Sequence, residues 1–294
     1  MQLDARAALL LLLAAGAACG GEAPRAGGDG HARVHTSVVA AGDIAGCWWR
    51  SDEATARLLD GIGGVVMPLG DNVYSDGSAR QFAECYGPTW GRHKSRTRPA
   101  IGNHDYRTDH GAPYYDYFGA AAGPRGKGWY SFDVEGWHLV VLNSEAYTEE
   151  GSEQVRWLRD DLRAHPSKCT LAVLHRPRFS SGKHGDSERV KGLFRVLYEG
   201  GADLLLSGHD HLYERFKPQD PEGREDGARG IRQFVVGTGG APFYDFQAKL
   251  SINSETHQNE VHGVLRLVFR PDGYDWEFVG TGAGFSDKGT GHCH

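Results

Sequence analysis

The sequence predicts an α/β protein in which two packed mixed β-sheets are flanked by helices, a four-layer arrangement of helix, sheet, sheet and helix. Three observations lead there. Short, nearly continuous runs of Val, Leu, Ile and Ala recur as SVVAAGD (37–43), VVMPLGD (65–71), LAVLH (171–175) and LLLSGHDH (204–211), and such runs suit strands covered on both faces. Stretches with helical start signals stand between them. Toward the C-terminus the pattern turns to alternation, the mark of half-exposed antiparallel strands.

In chain order, the first run leads into SDEATARLLDG (51–61), a helix predicted to take Ser51 as its N-cap. VVMPLGD follows and closes on a Gly-Asp pair. WYSFDVEGWHLVVLN (129–143) is strand-like, and GSEQVRWLRDDLRAH (151–165) is a helix capped by Ser152. After LAVLH, SERVKGLFRVLYEG (187–200) is a helix starting on Ser187 and Glu188, without a full capping box because Val190 stands where Glu or Gln would reach back. HLYERF (211–216) continues from LLLSGHDH into another strand, and FKPQDPEGREDGARG (216–230) is a charged loop. RQFVVGTGG (232–240), HGVLRLVFR (262–270) and YDWEFVG (274–280) are further strands, the last two alternating.

With 294 residues, 39% hydrophobic and 24% charged, the chain can bury a large core, and one domain over residues 37–294 is expected. A formal net charge of −6 gives no general attraction to nucleic acid or anionic lipid, so no nucleic-acid partner is expected and anion binding must be local. Residues 1–19 place Arg6 before an apolar stretch from Ala7 to Leu13 and end in small residues. That is an export signal, since about twenty apolar residues are needed to span a bilayer. Cys19 in AACGG is the candidate lipid anchor of a lipoprotein, the alternative to simple secretion, although Gly16 stands where a lipobox carries leucine. Residues 20–36, rich in Gly and Ala, are expected to form a flexible tether. An exported protein is expected to pair Cys47, Cys85, Cys169 and Cys293; three pairings are open, and chain order favours 47 with 85 and 169 with 293. No CxxC spacing occurs, which argues against zinc–thiolate binding.

The polar residues closing the apolar runs carry the chemistry. They are Asp43 in AGDIA, Asp71 and Tyr74 in GDNVY, Asn103 and His104 in IGNHD, His175 in AVLHR, and His209 and His211 in SGHDH. Ligands gather at the carboxyl ends of strands in α/β sheets, so loops far apart in sequence are expected to converge there.

These five blocks, in this order, resemble the calcineurin-like metallophosphoesterases, and GDNVY narrows the resemblance to the purple acid phosphatase branch, over residues from about 38 to 281. The resemblance implies a dinuclear centre. Asp43, Asp71, Tyr74 and His211 would hold one ion and Asp71, Asn103, His175 and His209 the other, with Asp71 bridging. Oxygen donors on one ion and imidazoles weighting the other favour a harder and a softer metal. Most of the wider superfamily carries a histidine two residues after the first aspartate; here Ala45 stands there, and Tyr74 replaces the lost donor. A phenol of ordinary pKa about 10 ligates at neutral pH only if a strongly acidic cation displaces its proton. Fe(III) paired with a divalent ion (Zn, Fe or Mn) is therefore expected. The charge balance agrees, because phenolate with one trivalent ion leaves the same single positive charge as neutral histidine with two divalent ions.

By the same resemblance His104 faces the substrate, and His184, in RPRFSSGKHGDSE, helps protonate the leaving alkoxide. The implied reaction is hydrolysis of a small phosphate monoester by a metal-bound hydroxide, without a covalent phosphoenzyme. Two other readings remain: a phosphodiesterase or nucleotide hydrolase on the same metals, and a surface metal-binding protein with a retired site. The retention of Asn103 and His104 argues against the latter. Trp48 and Trp49 either line the entrance or pack beside Cys47, and Arg176, Arg178 and Lys183 either attract phosphate or lie solvated. No third metal site at HCH (292–294) and no obligate protein partner are expected.

Overall fold

Residues 37–294 are described by the structure, a computed structural model, and within them the apolar runs of the sequence are strands. The expected export segment, the candidate anchor Cys19 and the expected tether all fall on residues 1–36, outside the described residues. One sheet contains β1 (Ser37–Ala41), β2 (Val65–Pro68), β10 (Gly263–Arg270), β11 (Gly273–Gly280) and β12 (Lys288–His292), in the order β12-β11-β10-β1-β2. The other contains β3 (Tyr130–Val134), β4 (Trp137–Val141), β5 (Cys169–Val173), β6 (Leu204–Ser207), β7 (Tyr213–Phe216), β8 (Arg232–Val236) and β9 (Ser254–Gln258), ordered β3-β4-β5-β6-β8-β7-β9. Both are mixed, as expected. β1 pairs parallel to β2 and antiparallel to β10, while β4, β5, β6 and β8 run parallel between antiparallel flanks.

Alternation along the strands sorts side chains between two cores. Leu139, Val141, Leu171, Val173, Leu204 and Leu206 share one cluster with Val39, Met67, Leu265 and Leu267 of the facing sheet. Their neighbours Val140, Ala172 and Leu205 join Val155 and Leu158 of helix Glu153–Ala164 and Leu193, Phe194 and Leu197 of helix Lys191–Glu199. Each such buried Val, Leu, Met or Phe side chain stabilises the fold by about 1.5–3 kcal/mol. The continuous apolar runs are explained by this double cover: a strand between a sheet and a helix layer has no polar face.

Helix starts depart from expectation at two of three places. Helix Ser51–Gly61 has Arg50 at the N-cap with no side-chain cap bond, so Ser51 lies inside the first turn, where Asp52 and Glu53 complement the helix dipole. Ser152 caps as predicted, accepting from Val155 N. Ser187 precedes a 3-10 turn, Glu188–Val190, without a side-chain cap bond, and the α-helix begins at Lys191. β9 (SETHQ) and β12 (KGTGH) were not anticipated, because neither carries an apolar pattern; both are sheet-edge strands with exposed residues. The favoured cysteine pairs are formed, Cys47–Cys85 and Cys169–Cys293. Among the described residues no helix is long and apolar enough to cross a membrane.

Candidate metal centre

The carboxyl ends of β1 and β2 in one sheet and β5 and β6 in the other deliver Asp43, Asp71, His175 and His209 to one place. Past the strand ends the backbone ladder continues, Asp43 N to Gly70 O, Ile44 N to Asp71 O and Tyr74 N to Ala45 O. Asp43, Asp71 and His209 sit in the left-handed region at φ of 59°, 48° and 71°. Such backbone costs on the order of 1–3 kcal/mol per residue and persists only where surrounding bonds over-determine it. Here Asp43 Oδ2 accepts from His209 N at 2.8 Å and Asp71 Oδ1 from His104 N at 2.7 Å. Buried Asp105, the last residue of GNHD, accepts from Asn72 N, Asn72 Nδ2 and Gly102 N and so ties the GDN and GNHD loops together. Gly102 is required by close approach, since a Cβ there would lie 2.2 Å from Asp71 N and Oδ1. Gly102→Ala is therefore expected to shift Asp71, lower stability by about 1–3 kcal/mol and reduce metal content, checked by thermal melts and elemental analysis.

All nine residues singled out in the sequence converge, and their donor atoms fall into two sets. In the first, the Tyr74 hydroxyl donates to Asp43 Oδ1 at 2.8 Å and lies 3.1 Å from both Asp71 Oδ2 and His211 Nε2, while His211 Nε2 is 3.4 Å from Asp43 Oδ1. In the second, His175 Nε2 lies 3.4 Å from Asp71 Oδ2 and 3.2 Å from Asn103 Oδ1, and ligand atoms of Asp71, His175 and His209 fall within 4.8 Å of one another. Asp71 Oδ2 belongs to both sets. Two ring orientations are fixed from behind: His175 Nδ1 donates to Leu69 O at 2.9 Å and His211 Nδ1 to Pro242 O at 2.7 Å, which leaves each Nε2 facing the cluster.

The donor set fits a cation pair. Adjacent ligand atoms around an octahedral ion with bonds of 2.0–2.1 Å are about 3 Å apart, the spacing found among Asp43, Asp71, Tyr74 and His211. Asp43 and Asp71 are buried, at 0% and 1% exposure, and a desolvated carboxylate is costly unless paired. Burial pushes Asp71 up, yet His175 and His104 outweigh it and hold Asp71 well below the carboxylate range. Burial depresses His175, but Asp71 more than compensates and raises it to about 10. Burial, followed by the Asp43 and Asp71 carboxylates, raises the Tyr74 phenol well above its ordinary value. Without ions the cluster is thus held together by protons, and metal uptake must release them.

Around this cluster, His104 Nδ1 donates to Ser75 O at 2.7 Å, and its Nε2 is 3.9 Å from Asp71 Oδ2. His184 Nδ1 is 2.8 Å from Asp210 Oδ1, and its ring stacks on His209 at 4.2 Å. Asp210 also accepts from Ser180 Oγ; burial raises it, but His184 and Ser180 outweigh burial and keep it ionised. Asp210 was missed in the sequence although it stands between two singled-out histidines in GHDH. Tyr244, stacked on His211 at 3.9 Å, carries no sequence signal at all. Trp49 packs against Tyr74 and donates to Ile44 O, whereas Trp48 is 64% exposed. Arg178 is buried against Glu188, and Lys183 lies over the Tyr244 ring. Cys293 of the HCH tail is spent in its disulfide.

The family described as calcineurin-like phosphoesterase matches residues 36–213, more than half of the chain. Purple acid phosphatase 21 of Arabidopsis thaliana is 35% identical over 150 residues, covering 48% of this chain and 34% of its own. Purple acid phosphatase 18 of the same plant is 27% identical over 251 residues, 76% of this chain and 54% of its own. The chain thus spans about a third to a half of the length of these curated relatives. Among solved structures, the purple acid phosphatase PPD1 from yellow lupin (Lupinus luteus) seeds superposes with a TM-score of 0.71 at 20% identity, over 87% of this chain and 53% of that one. That likeness concerns the fold.

Proposed function

Because the chain belongs to the calcineurin-like phosphoesterase family, we propose that it is a metal-dependent hydrolase of small phosphate monoesters, of the purple acid phosphatase kind, with one catalytic domain over residues 37–294. The observation that carries this reading is the place of Asp71 Oδ2 in both donor sets, at 3.1 Å from the Tyr74 hydroxyl and 3.4 Å from His175 Nε2, where the carboxylate could serve two ions. Asp43, Tyr74 and His211 would complete one ion's shell, and Asn103, His175 and His209 the other's. The phenol and two carboxylates favour Fe(III) on the first, and the imidazole-weighted set favours Zn, Fe or Mn as a divalent partner. When bound, such a pair supplies activated water and neutralises charge on the phosphoryl group.

The remaining residues bind and move protons. His104 keeps its Nδ1 proton on Ser75 O and turns Nε2 toward the site, where it orients the ester. His184 is held through Nδ1 by ionised Asp210, which leaves Nε2 to pass a proton to the departing alkoxide. Its side chain is 38% exposed, so solvent can restore that proton. Two disulfides suit an oxidising compartment and support export.

Metal-loaded protein is expected to hydrolyse p-nitrophenyl phosphate faster than bis-p-nitrophenyl phosphate; the reverse order would make it a diesterase, and inertness with full metal content would leave a binding protein. Chelation is expected to abolish hydrolysis and lower the melting temperature. At ion concentrations of 100 times Kd, binding contributes about 2.7 kcal/mol, a shift of about 5–10 °C for a chain of this size.

A further inference from the structure

Arg176 lies at the rim of the metal centre with two of its three nitrogens committed elsewhere. Glu145 holds it in a fork, Nε to Oε1 at 2.7 Å and Nη2 to Oε2 at 3.2 Å. The remaining nitrogen, Nη1, donates to His209 Nε2 at 2.9 Å. A guanidinium has only donors, so this contact requires a lone pair on Nε2. Coordination of His209 to a cation removes that lone pair by either route. If Nε2 binds the ion, the lone pair is used. If Nδ1 binds it, the neutral ring keeps its proton on Nε2, and two donors face each other. Nη1 then has no acceptor on His209, while Glu145 still holds the guanidinium beside the centre.

We propose, on the basis of the phosphoesterase reading, that Arg176 is a phosphoryl-binding residue: metal loading of His209 frees Nη1 to donate to an anionic phosphoryl oxygen, so the site favours dianionic monoesters over monoanionic diesters. Charge-assisted bonds from arginine to phosphate are about twice as strong as neutral ones, and a monoester offers one more anionic oxygen than a diester. The neighbouring basic residues are placed differently. Arg178 is turned into the interior against Glu188 and Pro221 O, and Lys183 lies over Tyr244.

The test uses Arg176→Gln and Arg176→Ala, both checked for folding by circular dichroism and thermal melting, with Glu145→Gln as a milder change that loosens the fork. Metal-free protein is titrated with Zn(II), and the zinc-loaded protein is then titrated with inorganic phosphate by calorimetry. The Arg176 variants are expected to bind Zn(II) at least as tightly as wild type, because the guanidinium no longer occupies His209. They should bind phosphate about tenfold or more weakly, and the ratio of monoester to diester kcat/KM should fall by about tenfold. Glu145→Gln should change each quantity in the same direction by less. Loss of zinc and phosphate binding together would mean a structural role and overturn the inference. Unchanged phosphate affinity in the variants would overturn it alone, with the phosphoesterase reading intact. A zinc-loaded wild type that neither binds phosphate nor cleaves either ester would overturn that reading, and the role of Arg176 with it.

Discussion

Tyr74→Phe is expected to bleach the protein, empty the first ion position of iron and lower ester hydrolysis by more than about 100-fold. The substitution keeps the ring, so its packing on Trp49 at 5.4 Å and His104 at 4.4 Å survives. Only the hydroxyl is lost, and that oxygen is the atom in contact with Asp43, Asp71 and His211. Burial and the two carboxylates make the phenol a poorer acid than free tyrosine. On the proposed Fe(III) assignment a strongly acidic trivalent cation takes the proton's place, and a phenolate–iron pair would absorb visible light. A visible spectrum and elemental analysis on wild type and variant decide the matter together. A wild type that is colourless, free of iron and still fully active would refute the matched exchange of tyrosine and ferric iron. The metal-free variant is expected to lose about 1–3 kcal/mol of stability, because Asp43 forfeits a buried hydrogen-bond donor.

Asp71→Asn should have the largest effect, because the one oxygen it replaces belongs to both donor sets. The amide can still accept from His104 N in place of Oδ1, so the loop is expected to keep its path. The opposite NH2 cannot ligate, and it faces the Tyr74 hydroxyl and His175 Nε2. Metal content should fall from about two ions to below one, and hydrolysis by on the order of 1000-fold. A second readout needs no metal. In the metal-free wild type Asp71 raises His175 to about 10, above the roughly 6.5 of an unfolded histidine. The stability from this pair is therefore complete below about 6.5 and is lost as pH rises through 10. In Asp71→Asn that loss should vanish from melting curves recorded across the same range. An unaltered curve, or full metal content, would remove Asp71 from the centre of the site.

The folding pattern was legible where burial is two-sided. SVVAAGD, VVMPLGD, LAVLH and LLLSGHDH are apolar at successive positions because their strands lie between a facing sheet and a helix layer, and no solvated face breaks the run. β9 and β12 lacked this signal, since an edge strand is selected by backbone pairing to β7 and β11 and its side chains face solvent. The same limit explains Ser51. A serine before an acidic pair looks like a cap, but which residue ends in the N-cap conformation depends on how the chain leaves the loop after β1, which Cys47–Cys85 ties down.

The sequence by itself determined which residue types could serve as donors and their order along the chain: Asp43, Asp71, Tyr74, Asn103, His175, His209 and His211 each close or follow an apolar run, and Ala45, two residues after Asp43, is the departure from which the exchange of an imidazole for the Tyr74 phenol is proposed. Only the tertiary structure decided that His175 and His211 face the cluster with Nε2, that Asp210 holds His184, that Tyr244 stacks on His211, and that Arg176 reaches His209 from a fork on Glu145. The physical reason is distance along the chain. A strand end announces itself through its own neighbours, whereas a hydrogen bond between residues 26 to 33 positions apart, as in these last contacts, exists only after β4, β5 and β6 have paired side by side and brought the separate loops at their ends within 3 Å.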